Sequence, residues 1–261
     1  SADMHNTDKV VTLIEECRSM KLRIDAPDVN TSEFKFTVNE EGWIVYGLGA
    51  IKGVGEGPVE AIVESRRDGP FKDLFDFCSR VDLKRINKRT LEALIRSGAL
   101  DRLGPYFHEE LKAYKANIDN NRAVLLAAME EAVQAAEQTA RSHDSGHMDL
   151  FGGVFAETTD VYGNHRRARE LSLKERLKGE KDTLGLYLTG HPIDEYESEV
   201  RRFARQRIVD LKPARGDQTI AGLIVNLRVM KNKKGDKMGF ITLDDRSGRI
   251  EASLFAEAFA S

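Results

Sequence analysis

The sequence contains no apolar run approaching the ~20 residues that a membrane-crossing helix requires, and its start, Ser1 to Lys9, is polar with no signal-peptide core. A cytoplasmic protein without a membrane partner is expected. Cysteine is scarce: Cys17 and Cys78 stand far apart and form no Cys-x-x-Cys pair, which argues against a disulfide framework and against a zinc site. Both are expected to be buried thiols in a reducing compartment. Positive charge is not in excess either. With 40 Lys and Arg against 43 Asp and Glu the net charge is −3, so the chain is not a uniformly basic nucleic-acid binder and any phosphate contact must be local. No Gly-Lys-Ser/Thr of a P-loop occurs, and Gly47-x-Gly49 is followed by Lys52 where the dinucleotide fingerprint wants a third glycine. No internal repeat of about 20 to 50 residues is visible.

What is present suits a packed protein of one or two domains, with 41% hydrophobic residues in 261. Residues 8–22 place Val10, Val11, Leu13, Ile14, Cys17 and Met20 on one side of a helix that starts at Asn6-Thr7-Asp8. Phe34, Phe36 and Val38 then alternate with polar residues and turn through Asn39–Gly42 into Trp43, Ile44 and Val45, a small hairpin. From Tyr46 to Gly104 the pattern is helical but broken by glycine: a short helix, a glycine turn, a helix from about Gly57 to Arg67, then helices at 73–79 and 88–97. The last is bounded by Asn87 and Gly98. A long Ala- and Glu-rich helical stretch at 107–141 has high helix propensity. Residues 156–212 read as a connecting region with helices near 172–179 and 193–204. After Pro213 the period becomes that of strands, at Thr219–Met230, Met238–Leu243 and Arg249–Phe255. The fold class is α+β and mainly α-helical.

Three motifs could carry function. In Ile51-Lys52-Gly53-Val54-Gly55, two helices joined by a Gly-hydrophobic-Gly turn would form a helix-hairpin-helix. The glycines let the backbone approach a phosphate, the amides opening the second helix face it, and Val54 plugs the turn into the core. The plainer reading is an ordinary glycine turn. Just beyond it lies the basic run Arg80, Lys84, Arg85, Lys88 and Arg89, placed to meet a duplex backbone if it is not merely a solvated face. The second motif is His147-Met148-Asp149-Leu150-Phe151, an apolar group isolated between Gly146 and Gly152 and suited to a partner's pocket, or to packing on its own domain. His143 and His147 are four apart, but Ser145 and Gly146 interrupt the helix that a metal pair would need, so no metal is expected. The third is the terminal β segment, whose basic hairpin with Arg228, Lys231, Lys233, Lys234 and Lys237 and whose Phe240 and Phe255 suit single-stranded nucleic acid on an OB-fold, or else a protein contact.

Four ordered stretches resemble the C-terminal half of bacterial DNA polymerase III alpha subunits: YGLGAIKGVGEGPVEA at 46–61, SGALDRLGP at 97–105, TLGLYLTGHP at 183–192 and LDDRSGR at 243–249. The resemblance implies that residues 1–45 end a fingers domain and that 46–104 carry a helix-hairpin-helix for duplex DNA. It further implies a helix and clamp-binding loop at 105–155, a helical linker at 156–212 and the first strands of an OB barrel at 213–261. His147–Phe151 would bind the beta sliding clamp, with His147 where the family's motif usually opens with Gln. Duplex and single-stranded DNA, the clamp and other holoenzyme subunits are the implied partners. The implied activity of the whole protein is template-directed DNA synthesis using Mg2+ held by palm aspartates. This chain has no Asp-x-Asp, so no catalytic residue and no cofactor is assigned to it, and alone it is expected to bind without polymerising. Since an OB barrel has five strands and three are legible here, the chain is expected to be a piece of a longer protein whose boundary cuts that domain, leaving open sheet edges. An error-prone polymerase paralogue, a non-catalytic helix-hairpin-helix repair adaptor and a pure interaction scaffold are the alternatives.

Overall fold

A computed structural model describes residues 6–107, 111–144 and 160–260. The chain forms two compact units, Ser1–Thr189 and Gly190–Ser261.

Unit 1 opens with α1 (Thr7–Ser19), whose Asn6 side chain accepts from the Lys9 amide at 3.2 Å. Only Val10 and Ile14 of its apolar residues are buried; Leu13 and Met20 face solvent, and Cys17 is half-buried rather than enclosed. A narrower stripe suffices because the helix lies against a small surface. The expected hairpin is there in reduced form, as β2 (Thr37–Val38) antiparallel to β3 (Ile44–Val45), and β3 also pairs in parallel with β1 (Ile24–Asp25).

The helices follow: α2 (Glu56–Ser65), α3 (Leu74–Arg80), α4 (Lys88–Ser97), α5 (Leu111–Asp144) and α6 (Leu173–Leu184). Local chemistry sets their ends. Asp73 and Asn87 cap α3 and α4 by accepting from the third amide of each helix, and Ser172 and Glu175 form a reciprocal capping box on α6. α5 packs on α3 and α4, and α6 packs on α4. Leu74, Phe77, Leu91, Leu94, Ile95, Val124, Leu125 and Ala128 are enclosed between them. Residues 160–189, read from the sequence as part of a connecting region, belong to this core. Tyr162 donates to the Leu103 carbonyl at 2.5 Å and accepts from the Leu74 amide at 2.8 Å, while Leu184 and Leu186 are buried. Cys78 is also enclosed; burial, with the charge of Asp73 adding to it, pushes its thiol up to about 12, so it packs as an inert small side chain.

A charged centre ties these helices together. The Arg122 guanidinium on α5 binds both oxygens of Asp101 at 2.8 Å, Glu180 of α6 at 2.9 Å and the Arg96 carbonyl near the end of α4 at 3.3 Å. Glu180 in turn accepts from the Leu188 and Thr189 amides at 2.7 and 3.0 Å. Exposure of the Arg122 and Glu180 side chains is 2% and 0%. Two stretches that carry the family resemblance, 97–105 and 183–192, supply Asp101 and the Leu188 and Thr189 amides. A side chain at Gly98 would strike the guanidinium, and one at Gly104 the Asn121 amide.

Unit 2 runs from a 3-10 segment, Pro192–Tyr196, into α7 (Glu197–Phe203) and a second 3-10 turn, Ile208–Asp210, then to an antiparallel sheet of β4 (Leu223–Lys231), β5 (Lys237–Asp244) and β6 (Arg249–Leu254), in the order β4-β5-β6, with α8 (Ala256–Ala260) against β5. The turn before β6 is held by Asp245, which accepts from the amides of Ser247, Gly248 and Ile208. His191 accepts from the Ile193 amide through Nδ1, which leaves Nε2 to carry the proton 3.3 Å from Asp244. Burial opposes ionisation of Asp244, but hydrogen bonds from His191, Arg249 and the Arg246 amide outweigh it and hold the carboxyl far below its usual value.

Candidate nucleic-acid interface

The glycine turn lies where the sequence places it, but its first arm is a single 3-10 turn, Leu48–Ala50, and not an α-helix. Packing explains this. A side chain at Gly47 would sit 2.6 Å from the Lys35 backbone, and one at Gly49 would overlap the Phe34 ring, so this arm lies flat on residues 34–36. These two glycines therefore serve close packing. The Ile51 amide closes the 3-10 turn on the Leu48 carbonyl, the Lys52 amide is held by the Thr183 carbonyl at 2.8 Å, and the Val54 amide returns to Ile51 at 3.0 Å. Gly53 has φ +88°, a left-handed conformation that a side chain would strain. Val54 is 4% exposed, while Lys52, Gly53 and Gly55 face solvent. Gly55 caps α2 with no side chain. The amides of Glu56 and Gly57 have no intrahelical acceptor at that position, and Pro58 has no N–H to offer.

A second turn of the same design stands beside the first. Between α3 and α4, the Arg85 and Ile86 amides close on the Asp82 carbonyl at 2.9 and 3.1 Å, Ile86 is buried, and Asn87 caps α4. Lys84, Ile86 and Asn87 thus repeat Lys52, Val54 and Gly55 at a spacing of 32 residues. The two turns touch: Thr90 of α4 donates to the Gly53 carbonyl at 3.3 Å, and Arg85 lies over Gly57. The starts of α2 and α4 are therefore neighbours. No repeat was visible in the sequence because Arg85 and Asn87 stand where the first turn has glycine; the signal was a buried apolar residue two positions after a lysine and followed by a cap.

The basic residues divide sharply in what they face. Among the described residues, exposed Lys52, Lys84 and Arg89 make no ion pair. Lys88 reaches Glu130 at 3.7 Å, with both side chains largely in water. Arg85 is bound to Glu60 and, at 3.4 Å, to Glu64. Arg80 is turned inward, donating to the carbonyls of Ser65, Gly69 and Pro70 at 2.6, 2.7 and 3.2 Å and pairing with Asp76. It closes the loop before α3 and is not part of the interface.

In unit 2, Lys231, Lys233 and Lys234 project from the β4–β5 hairpin and are exposed. Lys231 lies directly opposite Lys237 in the register, a like-charge pair that costs stability where no anion is near. On one face of the sheet, Arg228 stands over the Phe240 ring at 5.1 Å, with Met230 and Met238 paired one step further along. The segment His147–Phe151 lies outside the described residues, as does the His143 side chain.

Comparison with known proteins adds the family. A helix-hairpin-helix motif model matches residues 21–108, and an OB-fold nucleic acid binding domain model matches residues 218–261. DNA polymerase III subunit alpha of Pseudomonas fluorescens is 84% identical over 262 residues, covering 100% of this chain and 22% of that protein. The Pseudomonas aeruginosa protein of the same name is also 84% identical, over 263 residues. The Escherichia coli (strain K12) protein is 45% identical over 262 residues, covering 99% of this chain and 21% of its own length. The mainly helical region with its paired turns, followed by a small three-stranded antiparallel sheet, accordingly belongs to the DNA polymerase III alpha subunits, of which this chain spans about 22% of the length.

Proposed function

We propose that this chain is a DNA-gripping and partner-tethering part of a replicative polymerase, with the paired turns holding duplex DNA without regard to sequence. The adjacent starts of α2 and α4, with Lys52 and Lys84 beside them, carry this reading. Free amides and the positive ends of two helices favour phosphate oxygens, and the lysines add charge where the protein as a whole has none to spare. Lys88 and Arg89 extend the grip along the backbone, and Arg85 joins it by exchanging its exposed carboxylates for phosphate. The sheet of unit 2 takes the single strand, with Phe240 and Arg228 as a stacking platform and Lys231, Lys233 and Lys234 on its backbone.

His147–Phe151 is the sliding-clamp tether, with Leu150 and Phe151 as anchors. Residues 1–45, 46–104, 105–155, 156–212 and 213–261 serve as fingers end, duplex grip, clamp loop, connector and OB start. The whole protein performs template-directed synthesis in the cytoplasm with other holoenzyme subunits, using Mg2+ on aspartates that this chain does not contribute. Among the described residues no group of three or more His, Cys, Asp or Glu is placed to cage a metal ion.

The test is duplex binding by the chain and by Lys52→Glu/Lys84→Glu, measured across a range of salt. A loss of at least about tenfold and a salt slope shallower by ~1.8, at ~0.9 per phosphate contact, is expected with unchanged thermal stability; unaltered affinity would leave the turns purely structural. Beside it, Leu150→Ala/Phe151→Ala is expected to abolish binding to the clamp while duplex affinity is retained.

A further inference from the structure

Unit 2 holds a cavity of about 510 Å³ that the reading above does not use, lined by Arg201 in the last turn of α7, by Arg205 and Arg207 after it, and by Arg246 from the turn before β6. That volume is within the usual range of small-ligand sites. Three acidic residues also line it, Asp194, Glu197 and Asp245. Asp245 is committed to the backbone amides of its own turn, and Asp194 is shared between the His191 amide at 2.9 Å and Arg246 of the cavity itself at 2.8 Å. The remaining ion pairs at the rim, Arg201 with Glu197 and Arg207 with Asp210, are exposed contacts within a helical turn's spacing, weak enough for a phosphate oxyanion to compete for their guanidiniums. Arg205 is exposed and makes no ion pair among the described residues.

Arg246 points to use of this cavity. It is one of two non-glycine residues with positive φ among the described residues, at φ 73°, and Asp244 and Asp245 brace the turn from below. A side chain kept in a disfavoured backbone region at a cavity mouth is a common mark of a binding site. Residues 201–215 carry six basic residues and one acid, and Phe203 between them is 77% exposed.

We propose that this cavity receives a backbone phosphate of a single nucleic-acid strand, with guanidiniums on the oxygens and Phe203 available for an adjacent base. Guanidinium forks match phosphate geometry better than lysines do, and they hold a strand without reading its bases. The proposal rests on unit 2 being a nucleic-acid binder and extends that role from the sheet to the segment preceding it.

The experiment uses the whole chain and a labelled oligo-dT of ~16 nucleotides, read by fluorescence anisotropy against salt. The variant is Arg205→Gln/Arg246→Asn, since Asn tolerates the left-handed turn and Arg205 is exposed. An affinity loss of about tenfold and a salt slope shallower by ~0.7 per phosphate are expected, with duplex affinity and melting temperature unchanged. Unchanged affinity and slope in this variant, while Arg228→Gln weakens binding, would overturn the cavity and leave the sheet as the strand's site. No binding of the oligonucleotide by the wild-type chain would overturn the reading of unit 2 and the cavity with it. Displacement of the strand by micromolar dTMP, with inorganic phosphate as the comparison, would assign the cavity to a free nucleotide and overturn the strand.

Discussion

Helix α4 has two ends that treat charge in opposite ways. At its start, Asn87 and the Lys84 turn face solvent beside the Lys52 turn, and the cations there make no ion pair among the described residues or are held by exposed carboxylates. Near its finish, the Arg96 carbonyl meets a guanidinium from which solvent is excluded and whose other hydrogen bonds end on Asp101 and Glu180. The positive end of the helix dipole is left available and the negative end is neutralised. Arginine and lysine counts cannot distinguish these situations; burial and partners do. A fully satisfied cation fixes the frame, and an unsatisfied one at a helix start waits for a ligand. The framework end also bears on the binding end, because the Lys52 amide hangs on the Thr183 carbonyl of α6, three residues beyond Glu180.

The contrast breaks most readily at the buried end. Glu180→Ala would leave Arg122 short of a carboxylate and the Leu188 and Thr189 amides without an acceptor. Removing one member of a buried pair costs ~3–5 kcal/mol, a large fraction of the stability of any domain. Urea unfolding of unit 1 should show this as a lowered midpoint, and duplex affinity should fall with it through the Thr183 link. A loss below ~1 kcal/mol would mean that the centre is hydrated and adds little.

Arg80 and Arg89 make a finer contrast, since both lie in one basic run. Arg80→Ala removes hydrogen bonds from a charged donor to three carbonyls and should cost ~2 kcal/mol, with little specific effect on DNA. Arg89→Ala should leave the melting temperature unchanged and weaken duplex binding a few-fold. Equal effects of the two on both readouts would remove the distinction between inward and outward cations.

Unit 2 has its own inward charge, and pH tests it. Asp244 has a depressed folded-state pKa, so the stability it contributes is complete above the ordinary Asp value of ~3.9 and is lost as pH falls further. Thermal melts of unit 2 should therefore drop below about pH 4 in the wild type and flatten in Asp244→Asn, which starts less stable at neutral pH. A parallel pH profile in the variant would show that another carboxylate governs acid unfolding.

Legibility from sequence followed the range of the physics. Elements bounded by local signals were readable: α1 from Asn6, α4 between Asn87 and Gly98, and the three strands of unit 2 between their turns. Lys52, Gly53, Val54 and Gly55 were readable as a turn because they are contiguous. The Arg122 centre was not, since one arginine in an Ala- and Glu-rich helix resembles a solvated residue and its carboxylates are 21 and 58 positions away. The parallel pairing of β1 with β3 was hidden because a two-residue strand has no period. The arginine cavity was missed for a related reason: Arg246 reaches Arg205 only through the fold.

The smallest effect concerns the one acidic residue at the mouth of the first turn. Glu56 occupies the first position of α2, where a carboxylate stabilises the helix start by up to ~1 kcal/mol through the dipole. The same charge lies beside the amides that would meet a phosphate, so helix stability and anion affinity pull in opposite directions at this position. Glu56→Gln should lower the melting temperature by at most a degree or two, because ~0.5 kcal/mol is small against the entropy of unfolding a unit of this size. Duplex affinity should rise by about two- to fivefold at low salt, with the gain shrinking as ions screen the removed repulsion. A matching change at Glu92, which pairs with Arg96 along α4 and away from the helix start, should leave duplex affinity unchanged. If Glu56→Gln instead weakens binding, the carboxylate is positioning Lys52 or a bound water for the phosphate, and the first turn is a built site and not simply an exposed positive end.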